Sequence, residues 1–249
     1  CIAADRGHRV TLCEKSNSLG GQINLAQSLP GRAEFGGIIT NLNKELTKTT
    51  VSVRFNSFVN LDLIEELAPD AVIAATGATP YMPEIQGAEE AHVVNAWQVL
   101  EGKANVGGRV VIADWRCDWV GLGLAELLVK QGCHIRLAVN GMVAGQNIPQ
   151  YARDAWIGKL HKFGVEIIPH VRLVGVDSED VYFQHTLSGE PVILNSLDTL
   201  VTALGHFAET KLEKDLSKYG ISHHIIGDCL SPRTVEEAIL EGLKVGIKV

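Results

Sequence analysis

The stretch that decides the fold is "GHRVTLCEKSNSLGGQ" (7–22). Within it, "RVTLCE" (9–14) is a short run rich in β-formers that ends on an acid, Glu14. The preceding "CIAADRG" (1–7) reads as the tail of a helix. At the carboxyl end of the second parallel strand of a nucleotide-binding α/β unit, a carboxylate can accept hydrogen bonds from both hydroxyls of an adenosine ribose. It would repel a 2′-phosphate. The competing role is a solvated acid at a strand end. A glycine-rich phosphate loop lies about 20 residues before such an acid. Counting back from Glu14 runs past Cys1, so the first strand and its loop are expected to lie outside these residues. Because the chain opens on Cys rather than Met, it is expected to be a fragment or a processed product.

Outward from this stretch, apolar runs alternate with helical patterns. "AEFGGIITNLNKELTKT" (33–49) places Phe35, Ile38, Ile39, Leu42 and Leu46 at helical spacing. "VSVRF" (51–55) is a strand, "LDLIEEL" (61–67) a short helix, and "DAVIAATG" (70–77) a strand running into a glycine turn. This alternation predicts parallel βαβ units. The uniformly apolar "AVIAA" and "VVIA" predict a sheet covered on both faces. "YMPEIQGAEE" (81–90) is rich in turn formers and predicts a crossing between modules.

A second series follows: strand "GRVVIAD" (108–114), helix "GLGLAELLVKQG" (121–132), strand "HIRLAV" (134–139), helix "YARDAWIGKLHKFG" (151–164) and strand "VEIIP" (165–169). "VRLVGVD", "DVYFQH" and "PVILN" predict a β-meander. "DTLVTALG" (198–205) closes this series as "DAVIAATG" closes the first, an approximate internal duplication. The tail is a strand, a turn and a helix. The helix is capped either by Ser231 with Pro232 at its first position, or by Thr234 with Glu237 in a capping box.

Composition narrows the function classes. The 249 residues carry a net charge of −7, which argues against nucleic acid or an anionic membrane as partner. No apolar run reaches the ~18 residues of a membrane span, and no charged-then-apolar stretch within these residues reads as a signal peptide. Five cysteines (Cys1, Cys13, Cys117, Cys133, Cys229) are scattered without a Cys-x-x-Cys pair. They suit a reducing cytoplasm and exclude a local redox dithiol or a sequence-local zinc or iron–sulfur cassette.

The candidate binding residues cluster at strand ends. In "SLGGQ" (18–22), Gly20 and Gly21 lack Cβ, so their amides can approach a pyrophosphate or ribityl chain. An ordinary loop pair is the alternative. In "AATGATP" (74–80), Thr76 and Gly77 stand where the chain can switch direction beside a ligand; the alternative is a plain β-turn. In "IIGDC" (225–229), Asp228 precedes a helix start that favours anionic groups, and it can hold a sugar or ribityl hydroxyl. Alternatively it caps the tail helix. Lys15 and Arg233 either meet phosphates or are solvated. No residue reads as a general acid, base or nucleophile. His223 and His224 alternate across a strand and lack a third ligand at usable spacing, so no metal site is expected. Cys13 and Cys229 read as small core residues.

Together, "GHRVTLCEKSNSLGGQ", "AATGATP" and "IGDCLSPRTVEEAILEGLKVG" resemble the C-terminal FAD/NAD(P)-binding region of the NADH:flavin oxidoreductase family, the group of trimethylamine dehydrogenase, histamine dehydrogenase and 2,4-dienoyl-CoA reductase. The resemblance spans essentially the whole chain. It implies an α/β fold of two Rossmann-like, glutathione-reductase-like modules, the second inserted in the first, with a small β-meander. Residues 1–103 plus 209–249 would form the FAD/ADP-binding module and 104–208 the NAD(P)-type module. Glu14 would bind the adenosine ribose of FAD or ADP. Lys15 would lie near phosphate, Gly20, Gly21 and Gln22 along the pyrophosphate or flavin. Thr76 and Gly77 would line the same cleft, and Asp228 would touch the ribityl chain. Family members carry an N-terminal barrel with FMN and a 4Fe-4S cluster, neither present in this sequence. The resemblance implies that barrel as a partner, with an electron-transfer flavoprotein as a further one.

The second module departs from a nicotinamide site, which needs G-x-G-x-x-G between strand and helix. After "VVIA" the turn is "DWRCDWVGLG". Counted from the strand, the glycine positions hold Asp114, Arg116 and Trp119; counted back from the helix, only Gly121 fits. Asp114 and Asp118 would repel phosphates, and Trp115 and Trp119 occupy space. NAD(P)H is therefore a doubtful cofactor here, and a defunct or altered nucleotide site, resembling the trimethylamine dehydrogenase type, is the favoured expectation. The alternative is that Gly121 and Gly123 simply allow close packing. The leading expectation is an oxidoreductase portion, inactive alone, that orients a cofactor serving electron transfer. The alternatives are a non-catalytic ADP/FAD or docking module, and a truncated chain without cofactor.

Overall fold

The computed structural model describes residues 1–249. In chain order the elements are α1 (Ile2–Asp5), β1 (Thr11–Cys13), α2 (Gln22–Ala26), α3 (Gly36–Thr47), β2 (Ser52–Arg54), α4 (Leu61–Leu67), β3 (Val72–Ala74) and β4 (Ala78–Pro80). Then come β5 (Val93–Asn95), α5 (Ala96–Leu100), β6 (Arg109–Asp114), α6 (Trp119–Lys130), β7 (His134–Val139), α7 (Gln150–Lys162) and β8 (Glu166–Ile168). The meander β9 (Val171–Val176), β10 (Val181–His185) and β11 (Pro191–Leu194) follows, with β12 (Thr199–Ala203), β13 (His206–Ala208), α8 (Lys211–Lys218), β14 (His223–Ile225) and α9 (Val235–Lys248) after it. No helix is long and apolar enough to cross a membrane.

The chain divides into two units. The first comprises residues 1–27, 34–79 and 206–249, and the second 28–33 and 80–205. These boundaries differ from an expected division at 103/104 and 208/209. Residues 80–103 go with the second unit because β5 hydrogen-bonds to β12, pairing Val93 with Leu200 and Asn95 with Thr202. Residues 28–33 join the same unit through Leu29, 5% exposed, which packs against the Cα of Gly123 so closely that a Cβ there would lie 2.7 Å away.

The second unit is a five-stranded parallel sheet, ordered β5-β12-β6-β7-β8, with the antiparallel meander β11-β10-β9 beside it. Val110, Val111 and Ile112 are fully buried, as a strand covered on both faces requires. Helix α6 begins at Trp119, before the predicted Gly121, because Asp118 caps it: its Oδ1 accepts from Val120 N–H at 2.9 Å.

The first unit has no comparable sheet. Its parallel strands form two separate two-stranded ribbons, β1–β2 and β14–β3, and β4 pairs with β13. Helices α1, α2 and α3 bury no residue fully. The "AVIAA" strand is therefore not covered on both faces as predicted: β3 pairs on one side only, and Ile73 is 39% exposed. Helix α9 starts at the second of the two candidate caps. Glu237 Oε2 accepts from Thr234 N–H at 3.1 Å, closing a capping box, while Ser231 and Pro232 precede the helix.

Candidate functional site

Glu14 follows directly from β1, and its N–H extends the ladder to Arg54 C=O at 2.8 Å. The strand therefore delivers the side chain at its carboxyl end, half-buried. Glu14 Oε1 accepts from Ser16 N–H at 2.8 Å. The Ser16 hydroxyl lies 2.8 Å from the same oxygen and 2.7 Å from Ser18 C=O, and its one proton can serve one of them at a time. Oε2 has no protein partner. One oxygen is thus fixed and the other left open, a geometry that fits a diol ligand. Lys15 is exposed and forms no ion pair.

Beyond Glu14 the chain turns at Gly20 (φ +119°) and Gly21 (φ +48°), conformations that favour glycine. The two glycines differ in their surroundings. A Cβ on Gly20 would lie 2.6 Å from Ile39 Cδ1 and 2.8 Å from Asn24 Nδ2, so its bareness serves packing on α3. A Cβ on Gly21 would meet nothing within 4 Å. Only Gly21 faces open space where a ligand backbone could approach.

Gln22 starts α2, and its Nε2 donates to Asp228 Oδ2 at 2.7 Å. Asp228 sits in a short 3-10 turn, Gly227–Cys229, that follows β14. Its Oδ1 accepts from Arg233 N–H at 3.1 Å, just ahead of the α9 cap. Asp228 therefore ties the approach to α9 and the α2 loop together, while the cap of α9 itself is Thr234. Thr76 Oγ donates to Glu209 C=O at 2.9 Å, and Glu209 N–H donates to Gly77 C=O at 3.0 Å. These two residues pin the place where the first unit's chain leaves and returns, and Gly77 has φ +79°. No hydrogen bond joins Glu14, Lys15, Thr76 or Gly77 to the Gln22–Asp228 pair.

Two supports were not foreseen. Ser16 orients Glu14. Glu241, on α9, accepts from Gly227 N–H at 2.7 Å and pairs with Arg233. These contacts, Gly227 first and then Arg233, hold the Glu241 carboxyl below the usual range. Ser16 two residues after an acid is a readable Asx-like signal. Glu241 lies eight residues after Arg233, and only the folded α9 brings the two together.

In the second unit, Asp114 ends β6 fully buried. Its Oδ1 accepts from Cys117 N–H at 2.9 Å, while Oδ2 is buried without a partner. A Cβ on Gly121 would lie 2.1 Å from that Oδ2. Burial, and then the nearby Asp118 charge, pushes the Asp114 carboxyl up to about 7. Burial and Asp114 in turn push the Cys117 thiol up to about 11. The start of α6 thus already holds two carboxylates of the chain's own, Asp114 against Gly121 and Asp118 on Val120 N–H. That is a poor match for a pyrophosphate, which needs free amides and no like charge.

A parallel-sheet unit inserted in sequence into a second α/β unit is a Rossmann-like arrangement. The chain belongs to the pyridine nucleotide-disulphide oxidoreductase family, whose model matches residues 2–224. Flavin and pyridine-nucleotide binding is what that family implies. The chain is 28% identical over 244 residues to the bilirubin reductase of Mediterraneibacter gnavus (strain CC55_001C), covering 96% of this chain and 37% of that protein. Its fold matches 2-naphthoyl-CoA reductase with TM-score 0.89 at 28% identity, over 99% of this chain and 37% of that one. It matches histamine dehydrogenase from Rhizobium sp. 4-9 with TM-score 0.90 at 20% identity, over 100% of this chain and 41% of that one. The expected resemblance to the flavin/nucleotide-binding region of this group therefore holds, and the chain spans about two fifths of its relatives' length.

Proposed function

We propose that the first unit binds the adenosine half of FAD or ADP, as the nucleotide-binding portion of a longer flavin-dependent oxidoreductase. The observation that carries this is the open Oε2 of Glu14, held at a strand end while Ser16 fixes the other oxygen. Glu14 receives the ribose hydroxyls, Lys15 and the Gly21 backbone lie toward phosphate, and the Gln22–Asp228 pair offers polar contacts to the sugar or ribityl chain. Thr76 and Gly77 shape the neighbouring turn. A bound flavin would supply the electron-accepting and electron-passing chemistry; this chain's residues bind and orient it.

The longer protein contributes an N-terminal domain with FMN and an iron–sulfur cluster, and electrons pass between that domain and a partner such as an electron-transfer flavoprotein. The 249 residues alone turn over no substrate. The second unit binds no pyridine dinucleotide through the Asp114 loop. Five free cysteines suit a reducing cytoplasm.

The test is the visible spectrum of the purified chain and the nucleotide released from it by acid. Bound FAD supports a flavin module, and ADP alone supports a structural or docking module. Neither one sinks the nucleotide assignment for the isolated chain. Bleaching of a flavin band by NADH would overturn the statement about the second unit.

A further inference from the structure

We propose that Asn140–Gly141, in the turn after β7 of the second unit, is a site of spontaneous covalent modification. The Gly141 backbone nitrogen attacks the Asn140 side-chain carbonyl and converts that residue to aspartate and isoaspartate. Of the chain's asparagines, only Asn140 precedes a glycine, and it is exposed. Asn17, Asn56 and Asn195 are also exposed, but each precedes a serine, whose Cβ crowds the attacking nitrogen. Glycine brings no such atom. Packing keeps the glycine in place. A Cβ on Gly141 would collide with Gln146 Oε1 and lie 3.0 Å from Cys117 Sγ. The Gln146 oxygen is itself held, since it accepts from Met142 N–H at 3.0 Å.

The turn also brings one group to both reacting partners. Cys117 Sγ lies 3.4 Å from Asn140 Oδ1, and the Gly141 N–H faces the same sulphur. Burial pushes that thiol up to about 11, so it carries its proton and donates to the amide oxygen. Drawing electron density from the carbonyl leaves Cγ more open to attack. In the reaction the bond from Gly141 N to Asn140 Cγ forms and the Cγ–Nδ2 bond breaks. Nδ2 leaves as ammonia, taking the proton that the Gly141 nitrogen gives up. Water then opens the cyclic imide, so neither oxidant nor reductant is needed. Opening at the side-chain carbonyl gives aspartate. Opening at the main-chain carbonyl gives isoaspartate and routes the backbone through the former side chain. Either product adds a carboxylate beside a loop that already holds Asp114 and Asp118 around Cys117. Gly141 C=O accepts from His170 N–H at 3.0 Å, directly before β9, so the lengthened backbone of isoaspartate disturbs the join between β7 and the meander.

The experiment ages the purified chain beside a synthetic peptide spanning His134–Gln146, at neutral and at mildly alkaline pH. Peptide mass spectrometry then maps each asparagine, and enzymatic methyl transfer counts isoaspartate. The expected result is that Asn140 is converted well ahead of Asn17, Asn56 and Asn195, with a rate that rises about tenfold per pH unit as the ionised backbone amide does. The folded chain should keep within about tenfold of the free peptide, the weight of a single hydrogen bond. Asn140→Gln, which would have to close a larger ring, should stop the conversion at this position and spare the loss of urea stability that the parent suffers on ageing. Conversion led by a serine-linked asparagine would overturn the proposal. So would an Asn140 rate in the folded chain more than about tenfold below the peptide's, because the fold would then hold the amide away from its target. Equal loss of urea stability in the aged parent and aged Asn140→Gln would overturn the claimed effect on the second unit.

Discussion

Gln22 and Asp228 stand 206 positions apart in sequence, yet the Gln22 amide donates to the Asp228 carboxylate at 2.7 Å. The bond joins the loop after β1 to the turn after β14, so the N-terminal and C-terminal segments of the first unit are held together there. A hydrogen bond to a charged group contributes about 1.5–3 kcal/mol. Gln22→Ala is expected to lower the first unit's stability by about 1–3 kcal/mol in urea unfolding and to reduce retained nucleotide. Asp228→Asn can keep one bond to the Gln22 or Arg233 donors and should cost less stability. A full loss of stability in Asp228→Asn with none in Gln22→Ala would put the weight on the Arg233 contact instead.

Glu14 carries the adenosine assignment. Glu14→Gln keeps the size and one acceptor but replaces the other with an amide donor. Adenine-nucleotide affinity of the longer protein is expected to fall roughly tenfold, near the 1.4 kcal/mol of one good hydrogen bond. Ser16→Ala frees the carboxylate to rotate and should weaken binding by a smaller factor. Titration calorimetry with ADP measures both, and equal affinity in Glu14→Gln and the parent would remove Glu14 from the site.

The two adjacent glycines separate packing from ligand approach. Gly20→Ala meets Ile39 at 2.6 Å and a φ of +119°, so it should destabilise by roughly 1–3 kcal/mol. Gly21→Ala adds its methyl to open space and carries the φ strain alone. Its expected signature is a smaller fall in Tm, with weakened nucleotide retention. The reverse order of Tm losses would place the tight contact at Gly21.

Much of the fold is legible in the sequence where periodicity is long. β6, β7, α7 and the meander fall close to their predicted places because apolar runs of several residues identify their own faces. α4 matches its predicted 61–67 span, capped by Asn60, whose Oδ1 accepts from Leu63 N–H at 3.0 Å. The short pieces are another matter. α2, α5 and α8 are too short to show a helical period, and β4, β5 and β13 have three residues each and become regular only through strand partners elsewhere in the chain. β5 shows this well, since Val93 through Asn95 become a strand by bonding to β12. At the site, Glu14 and Asp228 are readable as acids at strand ends, whereas the Asp228–Gln22 and Glu241–Gly227 bonds depend on tertiary folding and leave no local mark.

Asp114 gives the second unit a pH dependence with a definite sign. Its folded carboxyl, raised from 3.8 to about 7 chiefly by burial, binds its proton more tightly than it would in the unfolded chain. Between pH 4 and 7 the folded state therefore holds more protons, so stability falls as pH rises through that window. The loss approaches about 4 kcal/mol by pH 8, at 1.36 kcal/mol per pH unit. Asp114→Asn retains an acceptor for Cys117 N–H and cannot ionise. Its stability should match the parent near pH 4, flatten across the window, and exceed the parent by a few kcal/mol at pH 8. Urea unfolding from pH 4 to 8, followed by the fluorescence of Trp115 and Trp119 beside the loop, measures the difference. Parallel curves for parent and Asp114→Asn would mean that the buried carboxylate is relieved by water or movement, and that the start of α6 is more open than its two acids suggest.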